Sequence, residues 1–227
     1  NNGRSVLKGF SAVLDFDKQL PWGITMNLGG KVILATTNNN TLYDITTLPL
    51  QNDDFEYTEN VYAGYLTFNK KAGKFDFILG CRYEWTWTNS ISNDTKSKKK
   101  SYGTFVPDMR LSYNFDNGSN IALSVNSSLE RPEIRQINPF SYYMNRYEIA
   151  TGNPELPSTW WNIRLSNGLA FNGGQLVTEI TYAKLSNIID QTITTDPVNN
   201  ISTAQWNNAL KETSWNIGTS FFYYKLK

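Results

Sequence analysis

Apolar and polar residues alternate with a period of two over long stretches of this chain, and few segments show helical spacing. From Phe75 the odd positions carry Phe75, Phe77, Leu79, Cys81, Tyr83, Trp85 and Trp87. The even positions carry Asp76, Ile78, Gly80, Arg82, Glu84, Thr86 and Thr88. The next segment repeats the pattern, with Phe105, Pro107, Met109, Leu111, Tyr113 and Phe115 against Thr104, Val106, Asp108, Arg110, Ser112 and Asn114. Further strands read at Val6 to Asp17, Trp22 to Ala35, Phe55 to Asn69, Ile121 to Glu130, Trp160 to Phe171, Gln175 to Ile189 and Ala209 to Tyr224, nine in all.

The connectors are ordered too. Short ones at Lys18 to Pro21, Lys70 to Lys74, Asp116 to Asn120 and Asn172 to Gly174 carry turn chemistry. Long polar ones at Thr36 to Asp54, Asn89 to Ser101, Arg131 to Thr159 and Asp190 to Asn208 alternate with them. That rhythm predicts an all-β, antiparallel, up-and-down transmembrane β-barrel with tight periplasmic turns and long extracellular loops.

A geometric check supports it. Phe75 to Trp85, at ~3.3 Å per residue and ~40° tilt, spans roughly 25 Å along the membrane normal, the height of a lipid-facing band. Trp22, Phe68, Tyr113, Phe115 and Phe171 then fall at the periplasmic rim, and Trp161 at the outer one. Bacterial single-chain barrels have even strand numbers, so nine strands imply part of a larger barrel. All of residues 1–227 are read as part of one barrel domain.

Composition removes other classes. The chain has 227 residues, no histidine and one cysteine, Cys81. Ser-His-Asp and Cys-His catalysis, His-based zinc sites and an internal disulfide are therefore excluded. Carboxylates remain for glycosidase-type chemistry, but no Asp or Glu pair stands out. No enzyme, catalytic residue, metal or cofactor is expected. Lys+Arg 21 against Asp+Glu 20 gives no bulk attraction to nucleic acid. Aromatics reach 14% while mean hydropathy is -0.45, and no apolar run is long enough for a transmembrane helix. Asn1 to Lys8 has no signal-peptide character, which suits an internal piece or a cytosolic protein.

The loop from Arg131 to Pro157 reads RPEIRQINPFSYYMNRYEIATGNPELP. It resembles the Arg-Pro, Asn-Pro-Phe and Gly-Asn-Pro-x-Leu signature of the Bacteroidota outer-membrane β-barrel family related to TonB-dependent receptors. Gly80-Cys81-Arg82-Tyr83-Glu84 resembles that family's Gly-x-Arg-Tyr-Glu strand, and Phe105 to Pro107 the entry to its next strand. The likeness covers about Phe55 to Asp190. It implies a barrel of about 22 strands, closed by an N-terminal plug, that imports a ligand with energy from the inner-membrane TonB complex. It also implies outer-membrane lipid, the plug and an unidentified small or oligomeric ligand as partners.

Candidate residues follow from both readings. Inward charges at Arg82, Glu84, Asp108, Arg110, Glu130 and Arg131 suit lumen lining or contact with a plug. A cross-strand ion-pair ladder satisfying a wet interior explains them as well. Tyr142, Tyr143, Tyr147 and Trp160 crowd the Asn-Pro-Phe loop and its exit, where aromatics can stack on a ligand; Trp161 reads as an interface anchor. Lys96, Lys98, Lys99 and Lys100 suit an acidic ligand or a solvated loop tip. Cys81 sits on the lipid face as a small hydrophobe. The expected function is ligand uptake across the outer membrane. A structural or adhesive barrel, and a soluble sandwich with an aromatic carbohydrate-binding face, are the alternatives.

Overall fold

The computed structural model describes residues 2–44, 48–93, 98–153 and 157–224. In chain order they form β1 (Asn2–Leu20), β2 (Ile24–Tyr43), β3 (Gln51–Ala72), β4 (Phe75–Ser92), β5 (Lys98–Asn114) and β6 (Asn120–Glu130). A single helical turn α1 (Ile134–Ile137) and a small hairpin, β7 (Ser141–Asn145) with β8 (Glu148–Thr151), come next. The long strands resume with β9 (Ser158–Phe171), β10 (Gly174–Asp196) and β11 (Ile201–Tyr223). All belong to one sheet, in the order β1-β2-β3-β4-β5-β6-β9-β10-β11-β8-β7. The nine long strands are antiparallel neighbours throughout, so the up-and-down expectation holds.

Register fixes the two faces. Across β3, β4 and β5 one outward row reads Phe68, Leu79, Met109, and another reads Tyr62, Trp85, Gly103. Leu79, Tyr83 and Trp85 are about half exposed, as an apolar face awaiting lipid must be. Cys81 lies in that outward set, paired with Leu66 and Pro107. The inner rows are polar: Tyr65, Arg82 and Val106 in one, Ala63, Glu84 and Thr104 in the next. Along this face the Tyr65 phenol donates a hydrogen bond to Asp15 across Gly29. A Cβ on Gly29 would sit 2.4 Å from the Tyr65 ring, so the ring lies across this position because Gly29 has no side chain.

The short-turn rim carries Tyr113, Phe115 and Phe171 as expected, joined by Phe75 and Phe221, whereas Phe68 lies further in, level with Leu79 in the apolar band. Phe75 meets Tyr113 edge-on at 4.8 Å, Tyr113 meets Phe115 likewise, and Phe171 stacks on Phe221 at 5.6 Å.

The strands run further than alternation predicts. β2 continues to Tyr43, and β10 and β11 pair up to Asp196 opposite Ile201, so much of Thr36 to Asp54 and Asp190 to Asn208 is strand. Above the membrane both faces are wet and the apolar period vanishes, while the ladder persists on β-branched residues and pairs such as Thr195 with Ser202, 2.9 Å apart.

Candidate functional site

The segment after β6 turns back over the inner face of the sheet instead of projecting outward. Arg131 begins it, its guanidinium reaching Glu84 at 2.5 Å and Glu59 at 3.5 Å. Glu84 also pairs with Arg82 at 2.7 Å. One loop cation therefore shares two wall carboxylates on adjacent strands, in a part-buried setting where such bonds are screened less than on a surface.

The next turn is set by sequence. Glu133 and Gln136 form a capping box around α1, the Glu133 amide donating to the Gln136 side chain at 2.7 Å. Ile137 is buried, as is Phe55 on the wall. Asn138 then makes an Asx turn, its side-chain oxygen accepting from the Phe140 amide at 3.0 Å. Its Nδ2 donates to Asp53, which is fully buried.

The Asn-Pro-Phe and Gly-Asn elements of the signature meet here. The Gly152 amide donates to the Asn138 carbonyl at 2.8 Å, and the Asn153 amide to Gln136 at 2.7 Å. A Cβ on Gly152 would lie 2.3 Å from the Asn138 oxygen and 2.8 Å from the Gln136 oxygen. The two motifs, fourteen residues apart in sequence, form one clasp. Pro154 to Leu156 of the same signature lie outside the described residues.

The hairpin is held at both sides. β8 pairs in parallel with β11, Ala150 opposite Ala204, and both alanines are buried. On the other side Gln51 behaves like a short strand: its Nε2 donates to the Ser141 carbonyl at 3.2 Å and its Oε1 accepts from the Tyr143 amide at 3.0 Å. Tyr43 stacks on Tyr142 at 4.4 Å. The loop thus spans the concave face from β3 to β11.

Electrostatics follow from this packing above the membrane rim. Burial raises the Asp53 carboxyl above the ordinary carboxylate range, against the Asn138 hydrogen bond and with help from Asp54. Its second oxygen has no hydrogen-bond partner among the described residues. Burial, with Tyr142 and Asp53 nearby, pushes the Tyr43 phenol up to about 12.

The inward charges sort into two groups. Arg82, Glu84 and Arg131 join one cluster that also takes in Glu59, which alternation along β3 places on the same face. Asp108, Arg110 and Glu130 also face inward by register, and no ion pair forms at any of them among the described residues. No continuous ladder links them; the cluster ties the loop to the wall. Of the aromatics, Tyr142 is stacked and Tyr143 is held through its backbone. Tyr147 is 61% exposed beneath the Arg146 guanidinium, and Trp160 points inward, opposite Ser128 and Leu185. Trp160 makes no ring contact with the three tyrosines among the described residues. Lys98 and Lys99 are exposed at the start of β5, while Lys96 lies outside the described residues. Gln51, Asp53 and Tyr43 escape sequence reading because they fall in what reads as a loop. No cluster of metal-ligating side chains occurs among the described residues.

Solved structures share this fold. The copper transporter OprC aligns with a TM-score of 0.62 and 11% identity, over 99% of this chain and 36% of that one. The alcaligin receptor FauA of Bordetella pertussis gives 0.54 and 14%, over 96% and 36%. The ferric enterobactin receptor PfeA of Pseudomonas aeruginosa gives 0.51 and 11%, over 96% and 41%. This chain therefore spans less than half the length of each. No curated protein matches the chain. The model of the outer membrane protein beta-barrel family matches residues 1–227, and with the apolar outer face and polar inner face this chain belongs to that outer-membrane family.

Proposed function

We propose that this chain is the wall and an inward loop of one receptor barrel domain, of the Bacteroidota type, that takes up a ligand across the outer membrane under TonB control. The remaining strands and a plug would complete it. The observation that carries this reading is the clasped loop from Arg131 to Asn153, fixed across the concave face at Glu59, Glu84, Asp53 and Gln51. An adhesin needs its loops outside, whereas a transporter needs a pre-organised surface over its lumen. Tyr147 and Trp160 are the ligand contacts on this surface, with Tyr142 and Tyr143 supporting them. Arg82, Glu84, Asp108, Arg110, Glu130 and Arg131 line the path and meet the plug. The reading assigns no catalysis.

The relatives of like fold transport copper or bind ferric enterobactin, so copper(II) and ferric enterobactin are the first probes. Cells making the full-length receptor are expected to accumulate one of them only while TonB is present, and less so with Tyr147→Ala or Trp160→Ala. Surface binding with no TonB-dependent accumulation would overturn uptake. It would favour adhesion, for which the β10–β11 hairpin, with Val198 84% exposed at its tip, supplies a surface.

A further inference from the structure

The outward face holds a groove of about 730 Å³ at the short-turn end of β2 to β5. Phe68 and Phe77 wall it, Met109 and Leu111 extend it across β5, and Ala72 leaves the rim position beside Phe75 almost empty. Its volume falls within the roughly 300–1,000 Å³ of small-molecule sites and exceeds two other outward grooves, of about 500 Å³ beside Leu14 and Tyr62 and about 360 Å³ beside Leu165 and Trp215.

Two cations border this groove, Lys70 and Arg110, and by register Arg110 faces the lumen beside Ile78, which leaves Lys70 as the outward one. Three lysines cluster around the β3–β4 turn, and two of them have acidic partners: Lys71 with Asp76 at 4.0 Å and Lys74 with Asp116. Lys70 faces out, in register with Ile24 and Phe77, and pairs with no carboxylate among the described residues. A lysine so placed lays its methylenes along the apolar wall and lifts its ammonium to the interface. At this depth, one row inside the aromatic rim, the anions available are phosphates of the periplasmic leaflet. Short turns mark that side.

We propose that the groove is a binding site for one glycerophospholipid of the periplasmic leaflet. An acyl chain lies between Phe68, Phe77 and Leu111, and the phosphate accepts hydrogen bonds from the Lys70 ammonium. An outward lysine borders this groove and neither of the other two, since Lys31 beside the larger of them faces inward opposite Ala63; that separates this site from the lipid that coats the rest of the barrel. The site depends on the outer-membrane location and not on the uptake reading, so each can fail alone.

Native mass spectrometry of the full-length receptor, exchanged through mild detergent and titrated with phosphatidylglycerol, tests it. Wild type is expected to keep one phospholipid. Lys70→Ala should weaken its binding at least tenfold, Lys70→Arg should restore it, and Leu111→Trp should displace the lipid with the charge intact. Lys184→Ala, which removes an outward lysine beside Trp161 at the opposite rim, should change nothing. Equal retention by Lys70→Ala, equal loss from Lys184→Ala, or detergent alone in the wild-type site would each overturn the proposal.

Discussion

At the level of single residues, the Asn138 clasp turns a sequence signature into a steric requirement. Gly152 has no room for a Cβ against the Asn138 and Gln136 backbone, so Gly152→Ala must push the two halves of the loop apart. Overpacking of this kind costs about 1–3 kcal/mol; chemical denaturation of the full-length protein should show that loss. Asp53 gives a pH signature. Its carboxyl is raised by burial above the ordinary 3.8, so the clasped loop holds the proton more tightly than the open one. That contribution is complete below the open-state value and is lost as pH rises through the clasped value. Asp53→Asn keeps an acceptor for Asn138 and removes the charge. Hydrogen exchange at the Gly152 amide should therefore slow in the variant at pH 7, with the difference from wild type vanishing near the acid limit. A variant that exchanges faster at pH 7 would show that Asp53 stabilises as a carboxylate.

Among the elements, the long strands were legible and the inward hairpin was not. The Phe75 to Thr88 segment announces both its faces because lipid and lumen impose opposite chemistry on successive residues. Arg131 to Thr159 carries no such imposed period, so its β7–β8 hairpin is invisible to alternation, and its wall partners Gln51 and Asp53 lie in residues that read as loop. Glu59 was available from the pattern, since it shares the inward positions of Tyr57 and Val61, yet only the fold reveals that Arg131 joins it to Glu84. The loop motifs were legible as a signature but not as a contact, because no local rule brings residue 138 against residue 152. Gln51 is the test of the hairpin as a unit. Gln51→Ala removes two hydrogen bonds that anchor β7, each worth about 0.5–1.5 kcal/mol. The β8 amides facing β11 should then lose protection while those of β4 and β5 keep theirs. Uniform loss along the sheet would mean that the hairpin and wall unfold together.

For the whole molecule, the question is which side of the sheet meets lipid. β1 has β2 as its one neighbour, and β11 beyond Gln205 pairs with β10 alone among the described residues. In hydrocarbon each unpaired edge group is costly, which is why the proposed receptor reading places further strands at both edges. The faces can be tested with two substitutions one residue apart. Leu79 faces out near the middle of the apolar band, between Phe68 and Met109, whereas Ile78 faces in, between Asn69 and Arg110. Arginine on the lipid face near the midplane costs about 2–4 kcal/mol, while a lumen position is wet. Leu79→Arg should thus lower folding stability of the full-length barrel in bilayers by that amount, and Ile78→Arg should cost no more than the roughly 0.2–1 kcal/mol of repulsion from Arg110 opposite it. A soluble sandwich would bury the face of Leu79 against a second sheet and fold without lipid at all. Insertion into bilayers that tolerates Leu79→Arg but fails with Ile78→Arg would reverse the assignment of faces. It would move Arg82, Glu84 and Arg131 to the lipid side, where charges bound to one another but cut off from water have no stable place.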